Sequence, residues 1–220
     1  MEPFEITKTP TGFHIEGFPD AVKAIRIEGP KARRLADLEL HRADLEFGLL
    51  CLEEINRVPE DPYVLRQALW RSAVVHFVKC FGASEARFSL DPKVVYKGDA
   101  EGVEQYKYFD SLRNKHLVHD ENSYAQCLPG AILNKAENPH KIAKIACLSI
   151  FGDTLSQSSY NNLHLLLTLA RTWVIAQFDE LCNVLTKELE GEPYDALLSR
   201  QAITYTAPGP EDVHIKRSAL

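Results

Sequence analysis

Arg113, Asn114, Lys115, His116 and His119 stand within one seven-residue stretch, the densest grouping of reactive side chains in the chain. Arginine keeps its charge at every physiological pH, and histidine titrates near neutrality. A fixed cation beside two proton carriers suits phosphodiester chemistry. The guanidinium can grip a phosphate and stabilise charge developing on it. An imidazole can take a proton from a ribose 2′-hydroxyl or return one to the leaving oxygen. Asn114 can orient either group by hydrogen bonding, and Lys115 and His116 can add substrate contacts.

On an α-helix each residue turns by about 100°, so Arg113, His116 and His119 step back by about 60° each. If the helix holds that far, they form one row on one face. The same residue types are also favoured at a helix C-terminus for structural reasons alone, with Asp120 and Glu121 as ion-pair partners. Both readings stay open at the level of the motif.

The elements that would position this stretch read mainly as helices. Leu35, Leu38, Leu45, Leu49 and Leu52 give a helix over about 31–57 one apolar stripe. Asp61-Pro62 opens a second helix that runs to Phe81 and is apolar on most sides, which predicts a central buried element. His76 within it reads as a core histidine satisfied by a neighbour. The third helix spans about 103–118 and carries the motif. In the fourth, Ser158 or Ser159 caps, and Leu163, Leu166, Ala170, Trp173, Phe178, Leu181 and Leu185 keep helical spacing to Glu190. That last stripe suits either the chain's own core or a second subunit.

Between these helices lie weaker signals. Phe4-Glu5-Ile6 and Phe13-His14-Ile15 flank Pro10-Thr11-Gly12, a pattern for a small hairpin. Residues 83–101 read as a loop, and Pro129-Gly130 as a turn. Ala131–Leu133 and Ile142–Phe151, separated by Asn138-Pro139, read as a β-hairpin, although the second run also fits a helix. The expected fold is mainly α: a bundle of at least four helices with a small β-hairpin insertion. The expected organisation is an irregular or β segment over 1–30, a helical domain over 31–190, and an exposed tail over 191–220.

Composition narrows the function classes. A formal net charge of −6 argues against a broad basic surface for coating nucleic acid, but leaves room for a local basic cleft. No apolar run reaches the roughly 20 residues of a membrane span. The opening MEPFEITKTP has neither the basic start nor the apolar stretch of a secretory signal, so the expected location is the cytoplasm. Cys51, Cys80, Cys127, Cys147 and Cys182 form no CxxC pair, and Cys51, Cys80 and Cys182 read as small buried thiols. His116 and His119 with Cys127 or His140 lack zinc-like spacing, so neither metal nor cofactor is expected. Tyr106, Tyr108 and Phe109 could stack a base, but three aromatics on a helix more often pack a core or a dimer face.

Arg113 followed at once by Asn114, with His119 after five intervening residues, resembles the R-x(4–6)-H motif of the HEPN superfamily (higher eukaryotes and prokaryotes nucleotide-binding domain). The order of helices over about 31–190 is similar too, though only the motif is sharp. The resemblance implies a metal-independent endoribonuclease acting as a homodimer, with two motifs facing each other across the interface. Arg113 and His119 would be the catalytic pair, and Asn114 their polar supporter. It also implies RNA as substrate and an antitoxin or defence protein as partner. The alternative within the family is a non-catalytic module that binds nucleotide, RNA or protein. Some members carry a Tyr two residues beyond the His, where an antitoxin nucleotidyltransferase modifies it. Here that position is Glu121 and the nearest tyrosine is Tyr124, so the resemblance does not extend to that regulation.

Overall fold

A computed structural model describes residues 6–9, 12–15, 17–59, 63–119, 121–204 and 208–215. The chain is mainly α-helical, with a β-hairpin inserted between helices. In chain order the elements are β1 (Ile6–Thr9), β2 (Gly12–Ile15), α1 (Pro30–Arg57), α2 (Tyr63–Lys79), α3 (Pro92–Val95), α4 (Ala100–Leu112), a π-helical turn (Arg113–Val118), β3 (Ala125–Leu133), β4 (Ile142–Phe151), α5 (Gln157–Glu190), α6 (Tyr194–Ser199) and a 3₁₀ turn (Pro210–His214). They fall into two compact units. One is formed by 39–84 and 88–175. The other comprises the described residues up to Leu38, 85–87, and those from Ala176 onward.

The first unit is a helical bundle. Its core is Leu45, Leu52 and Ile55 of α1, Trp70, Val74 and Phe77 of α2, Phe109 and Leu112 of α4, and Leu163, Leu167 and Ala170 of α5. The early part of the α5 stripe thus serves the chain's own core. Gly48 lets three helices meet: a Cβ there would lie 3.0 Å from Leu167 Cδ2 and 3.6 Å from the Ala73 carbonyl. Polar links fix the packing at its margins. Tyr160 donates to the Leu52 carbonyl (3.1 Å), Asn56 donates to the Tyr160 hydroxyl (2.7 Å), and Arg171 meets Glu46 at 3.1 Å. Arg66 donates to the carbonyls of Ile55 (2.8 Å) and Val58 (3.2 Å), covering acceptors that the end of α1 leaves open.

α2 is central only in its second half. Trp70, Ala73, Val74, Phe77 and Val78 are buried, whereas Tyr63, Val64 and Leu65 are exposed. The expected Asp61-Pro62 start lies outside the described residues. Buried Trp70 donates its indole N–H to Thr154 (3.0 Å). His76 is satisfied by a neighbour, Asp44 at 2.7 Å, but keeps 31% of its side chain exposed. Asp44 also receives Lys79 at 3.0 Å.

Three expectations are corrected. Pro129-Gly130 makes no turn but lies inside β3, where Pro129 stands opposite Cys147. Proline is tolerated there because β3 is an outer strand. The cap of α5 is Ser156 and not Ser158 or Ser159, since the Ser156 hydroxyl accepts from the Ser159 N–H (3.1 Å); Ile142–Phe151 is the strand that the hairpin reading expected. Finally, 83–101 is not all loop. It contains α3, with Asp91 accepting from the Lys93 N–H (2.9 Å) and Pro92 in the first turn.

In the second unit β1 and β2 pair antiparallel, Ile6 opposite Ile15, as the hairpin pattern anticipated; Phe4, Glu5, Pro10 and Thr11 lie outside the described residues. The expected tail is partly paired. The Arg26 N–H donates to the Gln201 carbonyl (2.7 Å) and the Ile203 N–H to the Ala24 carbonyl (3.0 Å). Lys23 donates to the carbonyl of Leu198 (2.7 Å). No helix among the described residues is long and apolar enough to cross a membrane.

Candidate active site

α4 holds the motif in place. Asp99 caps its start by accepting from the Gly102 N–H (2.8 Å). Phe109, fully buried, meets the rings of Trp70 and Phe77 edge-on, each at 6.1 Å. Leu112 is buried as well, so the last turn of α4 is anchored to α2 where the motif begins.

From Arg113 onward the coil changes. Arg113–Val118 is π-helical, and its end is closed by the Glu121 N–H donating to the Lys115 carbonyl (2.9 Å). Such turns are rare and recur at functional sites. An i→i+5 coil is wider than an α-helix, so residues three apart no longer stack in a row. His119 lies beyond the turn with extended backbone, φ −129° and ψ 142°. The α-helix therefore does not hold as far as His119, and the expected row of Arg113, His116 and His119 on one α-helical face does not form.

Arg113 is half-buried and donates through Nη1 to Asn114 Oδ1 (2.6 Å). Asn114 in turn donates through Nδ2 to Asp110 Oδ1 (3.0 Å). The guanidinium is thus held on one side by a neutral amide, while the carboxylate is kept one residue removed. Its other donors have no partner among the described residues, which leaves them for an anion.

His116 points elsewhere. Its ring lies 5.4 Å from that of Tyr124 at 49°, and its buried Nδ1 has no hydrogen-bond partner among the described residues. Gly152 makes room for Tyr124: a Cβ at 152 would run into the tyrosine ring, and the Gly152 N–H donates to the Tyr124 carbonyl (2.7 Å). Tyr108 joins this group. Burial pushes its hydroxyl up and Tyr124 adds to the shift, while a hydrogen bond with Ser159 opposes it. Lys115 and His119 are exposed. No hydrogen bond or ring contact joins His119 to Arg113, Asn114 or His116 among the described residues. The structure therefore unites Arg113 with Asn114, and His116 with Tyr124, and leaves His119 and Lys115 open. Asp120 lies outside the described residues.

Other candidates resolve differently. Phe109 is core, and Tyr106 packs against Phe77 and Phe81 (ring centroids 6.2 and 4.8 Å apart). Burial, helped by Asp110, pushes the Tyr106 hydroxyl up to about 12. Cys51 and Cys80 are buried and Cys182 is half-buried, whereas Cys127 and Cys147 are exposed on the β-hairpin. Among the described residues no three His, Cys, Asp or Glu side chains are grouped to hold a metal ion.

Sequence reasoning passed over Asp110, although its spacing of four from Asn114 is that of paired helical side chains. It also passed over a buried polar line on α1, Asp37, His41 and Asp44, again at steps of four and three. His41 Nε2 lies 2.8 Å from the Phe88 carbonyl and ties the segment before α3 to α1. Comparison with protein-family models, with curated proteins and with solved structures finds no match to this chain.

Proposed function

We propose that the protein is an RNA-cleaving enzyme of HEPN type, and that its catalytic residues are Arg113 and His119. The 2′-hydroxyl attacks the adjacent phosphorus, the bond to the 5′-oxygen breaks, and a cyclic phosphate and a 5′-hydroxyl result. Arg113 neutralises charge on the phosphate, and Asn114 orients it. His119 takes the 2′-proton, and His119 of a second copy returns one to the leaving oxygen. Two copies of the motif about a twofold axis would complete the site. Lys115 and His116 contribute substrate contacts. A defence or toxin–antitoxin setting, with an antitoxin partner, fits such an activity.

The observation that supports this reading best is the Arg113–Asn114–Asp110 chain. It holds one side of a guanidinium at the end of α4 and leaves the other side for an anion, with His119 exposed six positions on. A second reading, a non-catalytic binding module, is favoured by the lack of any hydrogen bond between His119 and Arg113.

Purified protein incubated with mixed RNA in EDTA separates the two, because no step above uses a metal. Wild type is expected to cleave, and His119→Ala to be slower by about 10²–10⁴-fold, the usual contribution of a general acid–base group. Arg113→Ala is expected to lose activity with the fold intact, and His116→Ala to lose less. Intact RNA with wild type, together with retained binding, would leave the binding module. Equal cutting by the His119 variant would assign the activity to a contaminant.

A further inference from the structure

The second unit carries a cleft of its own. Residues 24–26 and 201–203 run antiparallel, joined where Ile25 stands opposite Ala202, with the Arg26 N–H on the Gln201 carbonyl (2.7 Å) and the Ile203 N–H on the Ala24 carbonyl (3.0 Å). In extended chain alternate residues share a side, which sets Arg26 with Glu28 rather than with Ile25 or Ile27. The pairing brings Arg26 and Glu28 beside Arg200 and Gln201, and the four line a cleft of about 440 Å³. That volume falls within the roughly 300–1,000 Å³ of small-molecule sites. All four residues belong to one compact unit, and the Arg113 motif belongs to the other.

Both guanidiniums of the cleft are held without being used up. Glu192 takes Arg200 by Nη2 alone, at 2.7 Å and 2.8 Å, so Nε and Nη1 have no partner among the described residues. Arg26 meets Glu28 only through Nε at 3.5 Å, too far for a good hydrogen bond, and its two Nη groups have no partner among the described residues. The side chains of Arg200 and Arg26 are 32% and 38% exposed, within reach of a ligand and partly screened from water. Lys23, whose ammonium donates to the carbonyls of Leu198 (2.7 Å) and Arg200 (2.5 Å), adds a cation nearby. Lys23, Arg26 and Arg200 against Glu28 and Glu192 make a locally positive place on a chain of net charge −6.

Two forked guanidiniums match the oxygens of a phosphate or a carboxylate. A phosphate monoester carries close to two charges at pH 7 and about three strong acceptor oxygens, so it uses two arginines more fully than a carboxylate does. The cleft is larger than one phosphate group fills. Among the described residues no aromatic or aliphatic side chain lines the rest, so it offers a nucleobase no stacking face. It offers instead the Glu28 carboxylate, which accepts, and Gln201, which donates and accepts, and these suit hydroxyl groups. Glu28, 69% exposed, also repels a polyanion running along the surface. We propose that this cleft binds a phosphorylated sugar or polyol, with Arg26 and Arg200 on the phosphate and Glu28 and Gln201 on the hydroxyls. The inference does not rest on the ribonuclease reading, since it uses none of the motif residues.

Isothermal titration calorimetry of the full chain with ribose 5-phosphate tests it, beside inorganic phosphate, unphosphorylated ribose and citrate. Ribose 5-phosphate is expected to bind with a Kd between about 10 µM and 1 mM, the range open to a ligand of its size. Inorganic phosphate should bind at least about tenfold more weakly, because it lacks the hydroxyl contacts, and ribose should give no heat. Arg26→Gln should weaken the sugar phosphate by at least about tenfold, the worth of one hydrogen bond to a charged group. Arg200→Gln should do the same, but it also releases Glu192 and can disturb the fold. Arg26 meets only an exposed carboxylate, so its variant keeps the test decisive. Glu28→Gln should narrow the gap between ribose 5-phosphate and inorganic phosphate, since it removes a repulsion felt by both and weakens an acceptor used only by the sugar. Lys107→Gln, on α4 in the other unit, should change nothing. Absence of binding below about 1 mM overturns the proposal. Equal affinity for inorganic phosphate, which marks an adventitious ion only, overturns it too, as does tighter binding of citrate. So does an affinity that Arg26→Gln leaves intact, or a gap that Glu28→Gln leaves unchanged. A single-stranded RNA oligonucleotide that displaces ribose 5-phosphate, and whose own binding falls with Arg26→Gln, would give the cleft to a polyanion instead.

Discussion

Asp110 acts on both Tyr106 and Arg113, and the two respond to it differently. Asp110 reaches Arg113 only through Asn114, so the guanidinium keeps donors for a ligand. Tyr106 is raised first by burial and then by the Asp110 charge, from an ordinary value of 10 to about 12. A raised value means that the folded state favours the protonated phenol. Its contribution to stability is therefore complete below about pH 10 and is lost as pH climbs through about 12. Tyr96, more deeply buried and donating to the Leu166 carbonyl (3.2 Å), is raised further by the same cause. Thermal unfolding followed across this alkaline window should fall less steeply for Tyr106→Phe than for wild type. A phenol at 106 that titrates at the ordinary value in ultraviolet difference spectra would contradict the burial assigned to it.

Among the helices, the tightest constraint is Gly48, where α1, α2 and α5 converge. A Cβ there already crowds Leu167 at 3.0 Å and 3.4 Å, and a branched side chain would add atoms with nowhere to go. Gly48→Val is expected to lower the unfolding free energy by about 1–3 kcal/mol, the cost of overpacking a close-packed interior. Urea unfolding measures it directly. A change within about 0.5 kcal/mol, typical of a surface site, would mean that the helices separate easily there. The π-helical turn is the other element that matters. It follows directly on an α4 end clamped by Phe109 and Leu112, so the backbone that carries Arg113 is fixed while His119 leaves the helix.

Taken as a whole, the chain is acidic, with a formal net charge of −6, and its proposed contacts to RNA are few. Arg113 and Lys115 offer two fixed cations per copy. Each phosphate neutralised on a single strand adds about −0.7 to the slope of log affinity against log salt. Binding through this site alone therefore predicts a slope between about −1.5 and −3 for one or two copies. Filter binding of the slowed His119→Ala protein across a salt series gives the value. A slope steeper than about −5 would require a basic surface other than the motif.

Much of this was legible in the sequence because it is local. A period near four residues marks a helix wherever it falls, so α1, α5 and most of α2 were readable from their apolar residues alone. The grouping of Arg113 to His119 at a helix end was equally plain, since it depends only on order along the chain. What the residues do there was not. Whether three side chains share a face depends on the coil continuing as an α-helix, and the switch to a π-turn after Leu112 has no marker in residue type. Pro129-Gly130 read as a turn because those residues favour turns. Only pairing with β4 on one side, and open solvent on the other, decided that they belong to an outer strand. Asp37, His41 and Asp44 drew no attention in the sequence, because only packing buries them. Cys127 and Cys147, set among aliphatic residues like those of a core, are exposed because no helix among the described residues covers the ribbon. Periodicity is a property of neighbours in sequence. Which surfaces meet is a property of neighbours in space, and that was decided only by the tertiary structure.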